Sequence, residues 1–589
     1  MLLYAPSVGF GFIDHDDVPV LLEHPNLFAQ DSLWRSLHEI FVGYFPREEP
    51  LLVRDVSWAL DARVFGFTNP VGYHLGNILL NAVNVVLFFL LLLHATRRLG
   101  FAALSAALFA VLAVHVEPVC WIMGRKDLLS AFFIFLALLA QSLQLRQERR
   151  GRRWLLAVAV FLLYPLAVLS KFSAIILVLV LAAHRIFSPY LAGELAPSHA
   201  FAVARWPRRL VGLLPHCLVG VAIQLWYQHI LNAFQIVGGH GPPPFSATHL
   251  KNLATLIPLS LQASLFRIFS AAEHSIAYLR PSVTVRPTSG ELALAFATLG
   301  GMVALTAILL RFRKDLAFFP VAFLLFLLPY FNFVYVGIWA ADRYSYLASI
   351  GVAGLLAAPV AFGWRSSGVL ARRLAIAGAV ALGFWGSYQI VAGRAHQLAF
   401  RGRETMWAYE TGLPRPSTVA FVRYANLLLY KASAAEPASP RRRELLEAAV
   451  AAAQAGVRYY ATIPWRPAPA YVGRERIQLA SLYTVLAAAA GLAGDTLEHQ
   501  LELHRTAFKI APADLQTEQL AIVLFKLALR QPRDLAKARE SLVIFRDHVR
   551  YASRDRLLFP RLHAQLAAYR ANFPELAAEV DAIEAESLR

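Results

Sequence analysis

Phe12-Ile13-Asp14-His15-Asp16-Asp17-Val18-Pro19 sets three carboxylates and a histidine in four positions directly after an apolar opening. From there to about Val391, long apolar runs alternate with short basic connections. Asp favours turns and helix caps, so a solvated turn is the plain structural alternative. The same acids held at a bilayer surface beside a helical bundle are equipped to take a proton from an incoming hydroxyl group.

Working outward from that stretch, the composition excludes an ordinary soluble protein. The 589 residues are 58% hydrophobic with a mean hydropathy of +0.50. Candidate spans fall at about 72–96, 101–118, 127–145, 154–170, 172–188, 210–233, 291–310, 316–334, 345–363 and 373–392. Runs of that length can cross ~30 Å of hydrocarbon. Met1 to Phe12 is apolar but too short to span and has no charged n-region or cleavage site, so it reads as the remainder of a first span. The segment His249 to Ser270, with Lys251, Asn252, Gln262 and Arg267, reads as a surface or re-entrant helix, which makes eleven spans.

Charge then orients the bundle. The formal charge is +18, and much of it in this half lies in short connections such as Arg97-Arg98, Arg149 to Arg153, Arg205 to Arg209, Arg311 to Lys314 and Arg365 to Arg373. That is the positive-inside pattern, so these connections are placed in the cytoplasm and no nucleic-acid face is expected. The acids concentrate instead in the loop 13–70, which is therefore extracytoplasmic. Cys120 and Cys217 sit at or in predicted spans and imply no disulfide framework.

The organisation expected is a membrane domain over 1–394 and an all-helical, extracytoplasmic tail over 395–589. The tail's amphipathic segments, at about 397–413, 418–434, 441–458, 474–493, 496–510, 513–530, 534–549 and 557–587, suggest stacked hairpins of degenerate tetratricopeptide type. Such a surface can present a polypeptide or simply cover the spans.

Several stretches together carry a resemblance. They are Phe12 to Asp17, Val64-Phe-Gly-Phe-Thr-Asn-Pro-Val-Gly-Tyr-His-Leu-Gly-Asn77, His115-Val-Glu-Pro-Val-Cys-Trp121 with Gly124-Arg-Lys-Asp-Leu-Leu-Ser130, Ser170-Lys171, and Ala341-Asp-Arg-Tyr-Ser-Tyr-Leu-Ala-Ser-Ile-Gly351. In order and spacing the chain resembles the GT-C superfamily of polytopic glycosyltransferases, in particular the transmembrane-and-tetratricopeptide proteins related to the protein O-mannosyltransferases. It departs from the common pattern at Leu112-Ala113, where relatives often have His-Pro, and at Asn81, where many have histidine.

The resemblance implies an all-α, eleven-span enzyme. It would move a sugar from a polyprenyl-phosphate carrier to a protein or glycan hydroxyl on the outer side of the membrane. It also makes the acidic pair of the first loop catalytic. Asp16 and Asp17 are the candidate bases, and the only expected metal is Mg²⁺ or Mn²⁺ on that pair. Asp14 and His15 would support them. Lys171, Arg343, Arg125 and Lys126 are candidate phosphate ligands at span ends, with snorkelling to headgroups as the alternative. His74, Asn77, His115 and Glu117 are expected to make hydrogen bonds at helix ends. A bacterial inner membrane fits the alanine and arginine usage. A lipid-linked glycan flippase and an inactive scaffold are the rival readings, the first requiring charges and helix breaks near mid-bilayer.

Overall fold

The computed structural model describes all residues except 14–15, 44–49, 202, 204–205, 234–245, 272–273, 277, 279–286, 334–337, 464–471, 512–513, 531–532, 553–558 and 588–589. Asp14, His15 and Arg205 therefore lie outside the described residues. Two compact units are present: residues 1–282 with 287–409, and a second that takes in Glu410–Arg589.

The first unit is a bundle built from α1 (Leu33–Phe41), α2 (Leu52–Phe65), α3 (Pro70–Thr96), α4 (Leu99–Val111), α5 (Val116–Cys120), α6 (Arg125–Arg146), α7 (Arg150–Ser170), α8 (Leu177–Leu191), α9 (Leu214–Ala233), α10 (Ala247–Phe269), α11 (Ser289–Phe312), α12 (Lys314–Leu327), α13 (Ser345–Gly363) and α14 (Val369–Gln397). Local chemistry sets several of the starts. Asn69 caps α3 by accepting from Val71 N, and Pro70 fills a position whose N–H has no helical acceptor. Thr288 and Glu291 form a capping box at α11.

Among the described residues, nine helices are long and apolar enough to cross a membrane. There are ten if α4 and the bent continuation Ala113–Cys120, at 59° to it, form one span. The chain is thus an integral membrane helical bundle, and three segments, Met1–Phe12, α12 and α10, depart from the expected eleven spans. Met1–Phe12 does not cross the bundle. It makes a 3-10 turn at Ala5–Gly9, buries Tyr4 and Phe10, and is pinned by Gly11 N donating to Arg401 O at 3.1 Å. α12 has 14 residues and falls short of the length needed. It nevertheless runs from Asp315, 3.8 Å from Arg98, to the 3-10 turn at Tyr330, whose hydroxyl meets Ser173 at 2.7 Å. α10 meets the length and composition required of a span. Its contacts, His249 to Phe333 O, Leu256 and Leu259 with Trp339 and Ala340, and Arg267 to Asp342, all go to residues at one end of the bundle.

A polar ladder sets the register of the spans. Asn77, Asn81 and Asn84 share one face of α3 at helical spacing. Asn77 donates to Trp121 O at 2.8 Å, Asn81 accepts from Tyr346 at 2.8 Å, and Asn84 donates to Leu128 O at 3.0 Å. In hydrocarbon such groups must be satisfied by the protein itself, so these bonds fix α3 against α6, α13 and the turn at Trp121 that precedes α6.

The second unit is helical throughout its described residues. Thr418–Ala434 pairs with Pro440–Thr462, Val472–Leu492 with Leu497–Ile510, and Asp514–Ala528 with Leu535–Ala552. Separate apolar clusters, one around Phe421, Leu482 and Val485 and another around Leu542, Phe545, Tyr569 and Leu576, hold these hairpins.

Candidate active site

The family-like stretches converge on one end of the bundle because each lies at a helix end on that side. The first loop folds beside α3. Its own core includes Arg54 and Asp55, both fully buried, with the guanidinium bonded to Asp55 Oδ1 at 2.9 Å and 4.6 Å from the Trp58 ring centre. The chain between α5 and α6 doubles back through Gly124, where a Cβ would lie 2.2 Å from Pro118 O. Only glycine allows that approach, and it brings Glu117 and Arg125 to the same end.

The acidic pair divides into two environments. Asp16 is half-buried, and its carboxylate lies within electrostatic range of Arg343 together with Glu117 and Asp127. Asp17 is 1% exposed. Its Oδ2 accepts from Ile13 N at 3.0 Å, and the Trp121 side chain and Met123 main chain also face the carboxyl. Burial pushes the Asp17 carboxyl up to about 8, the Ile13 N–H opposing and the Asp16 charge adding to the rise. Burial thus favours the protonated form of Asp17, which ties the loop to itself through Ile13, whereas Asp16 is half-buried within electrostatic range of Arg343.

Lys171 and Arg343 line one small cavity, together with Asp127, Ser130, Ser173, Tyr330, Tyr344 and Tyr346. It has room for about one water, about 20 Å³. Lys171 sits in the break between α7 and the 3-10 turn Phe172–Ile176, bonds Asp127, and lies 5.1 Å from the Tyr330 ring centre and 5.3 Å from that of Tyr344. Those two rings stack at 3.9 Å. Arg343 is 6% exposed, bonds Glu117, and faces the Trp121 ring at 5.1 Å. Both cations thus rest on a carboxylate while keeping further donors. An anion can share them without any charge being left bare.

The other candidates go elsewhere. Arg125 is committed to Asn77 Oδ1 at 2.5 Å, Asp61 Oδ2 at 2.7 Å, Tyr73 O at 2.7 Å and Ser57 Oγ at 3.2 Å, which makes it a clamp between α2, α3 and α6. Lys126 is buried at the same helix start and does not line the cavity. His74 is buried edge-on to Phe10. His115 Nε2 meets Ser349 Oγ at 3.0 Å. The structure adds Asp127, Ser173 and Tyr330, which the sequence did not single out.

Behind Arg343, Asp342 is fully buried. Its Oδ2 meets His274 Nδ1 at 2.5 Å and its Oδ1 accepts from Tyr278 at 2.8 Å, with Arg267 Nε at 3.4 Å. His274, Asp342 and His396 are the one group among the described residues that brings three potential metal ligands within 4.8 Å. Arg267 on the same carboxylate opposes a cation there.

No family model matches the chain, and no solved structure matches it. Curated proteins do. Over 198 residues the chain is 31% identical to the protein O-mannosyl-transferase Tmtc1 of Drosophila melanogaster, covering 32% of this chain and 22% of that protein. It is similar to protein O-mannosyl-transferases. Mouse protein O-mannosyl-transferase TMTC1 is 31% identical over 162 residues, 26% of this chain and 17% of its own. Human protein O-mannosyl-transferase TMTC4 is 30% identical over 170 residues, 26% of this chain and 22% of its own. The matches thus span about a fifth of these O-mannosyl-transferases' length.

Proposed function

We propose that the protein is a membrane glycosyltransferase that moves a mannose-like sugar from a polyprenyl-phosphate donor to a protein or glycan hydroxyl. The observation that carries this is the half-buried Asp16 carboxylate within electrostatic range of Arg343, the residue that lines a cavity together with Lys171. In this mechanism the acceptor hydroxyl oxygen attacks the anomeric carbon. Asp16 accepts the hydroxyl proton as the new C–O bond forms, and the bond from that carbon to the phosphate oxygen breaks. Lys171 and Arg343 take up the charge that builds on the departing polyprenyl phosphate, in a site where water is scarce. Asp17 stays neutral and holds the loop. The positive-inside pattern puts this end of the bundle on the extracytoplasmic side, and the setting is a bacterial inner membrane. The hairpins of the second unit resemble acceptor-presenting helical repeats.

The donor is the most testable part. Purified protein in proteoliposomes is offered labelled mannose on polyprenyl phosphate or on a nucleotide, with a serine- and threonine-rich peptide as acceptor. Transfer from the lipid donor alone is expected. Transfer from the nucleotide sugar with none from the lipid would overturn the proposal.

A further inference from the structure

A second cavity lies at the opposite end of the bundle and belongs to no part of the transfer reading. α3 carries the chain from the acidic end, at His74 and Asn77, to Arg97-Arg98, a helix of 27 residues and so about 40 Å long. There Arg98, Gly100, Phe101, Arg313, Ala361, Phe362 and Arg365 enclose about 330 Å³. The three arginines come from three different connections, before α4, before α12 and after α13.

Charge and shape both point to an anion. Arg313 is neutralised by Asp315 through two bonds of 2.9 Å, and the same carboxylate lies 3.8 Å from Arg98. Asp315 therefore meets two of the three guanidinium groups, and Arg365 lines the notch as the third. Arg98 and Arg313 stand over the Phe362 ring at 4.5 Å and 5.3 Å, which holds the guanidinium planes in place. The ring of Phe101 stacks on Phe362 at 5.6 Å and makes an apolar floor. Space above Gly100 is open, with nothing within 4 Å of the point where a Cβ would be. Next to the notch, Leu99, Phe312 and Trp364 are 59%, 60% and 62% exposed. An arginine-lined hollow beside bare apolar side chains at the end of a membrane bundle matches a phosphate group with acyl chains attached, better than a free ion.

We propose that this notch is a binding site for the headgroup of an anionic phospholipid, with Arg98 and Arg365 holding the phosphate and Arg313 braced by Asp315. The test is native mass spectrometry of the full chain in detergent, titrated with phosphatidylglycerol, phosphatidylcholine or inorganic phosphate. Saturable binding of one phosphatidylglycerol is expected, with little phosphatidylcholine, and the double variant Arg98→Gln, Arg365→Gln should bind it roughly 30-fold more weakly. The variant Arg149→Gln, Arg150→Gln, which removes exposed charge at the same end but outside the notch, should match the parent. Equal binding of the two lipids, or equal loss in both double variants, would overturn the proposal. So would displacement of phosphatidylglycerol by inorganic phosphate, which would make the notch a free-phosphate site.

Discussion

The main-chain N–H of Arg343 donates to Glu117 Oε2 at 2.8 Å, while the guanidinium of the same residue bonds Oε1. One buried carboxylate from α5 therefore fixes both the backbone and the side chain of the cation that faces the cavity. Asp342, the residue just before it, is itself anchored to His274 and Tyr278.

Glu117→Gln would leave a buried guanidinium without its counter-charge. Breaking such a pair from one side costs about 3–5 kcal/mol. A marked fall in melting temperature in detergent is expected, together with lost transfer activity. A variant as stable as the parent would show that Arg343 finds another partner.

Lys171 and Arg125 should separate by kinetics. Lys171→Met removes a charged hydrogen-bond donor from the cavity, worth roughly 10- to 100-fold in affinity for an anionic donor. Arg125→Ala should instead cut stability and the yield of folded protein, because it opens the clamp on Asp61 and Asn77, while the KM for donor in the folded fraction stays near the parent value. The reverse pattern would exchange their roles.

Asp17 gives stability a pH dependence whose sign follows from its burial. Its carboxyl is raised from 3.8 to about 8, so the folded protein binds the extra proton between those values and the unfolded chain does not. The stabilisation is present at low pH and is lost as pH rises through that window. Melting curves from pH 5 to 9 should therefore fall for the parent relative to Asp17→Asn, whose amide keeps an acceptor for Ile13 N and has no proton to lose. Parallel curves would contradict the assignment.

What the sequence made legible was set by the membrane and by local pattern. Apolar runs near twenty residues fix the spans because hydrocarbon thickness does, and Lys171 stood out because it interrupts two of them with only Ser170 beside it. Pairings across long separations were not legible. Glu117 and Arg343 are 226 residues apart, and nothing local says which basic group a buried carboxylate will meet. Arg125 looks like Lys171 in sequence, a cation at a span end. Only packing shows that Asp61 and Asn77 consume it. Adjacent Asp16 and Asp17 were indistinguishable for the same reason: their difference is burial, which follows from how the loop folds back on Ile13 and Trp121. The span count differs at α12, which is short yet reaches from Asp315 to Tyr330, at α10, which has the length and composition of a span, and at Met1–Phe12, where an apolar segment turns back on itself.

The most direct measurement is the specific transfer rate of Asp16→Asn and Asp17→Asn, assayed side by side with a labelled polyprenyl-phosphate sugar. Asp16→Asn is expected to lose at least about 100-fold in kcat/KM, the usual contribution of a positioned base, while Asp17→Asn stays within about tenfold of the parent. Parent-like activity in Asp16→Asn, or an equal loss in both, would contradict the assignment of Asp16 as the base.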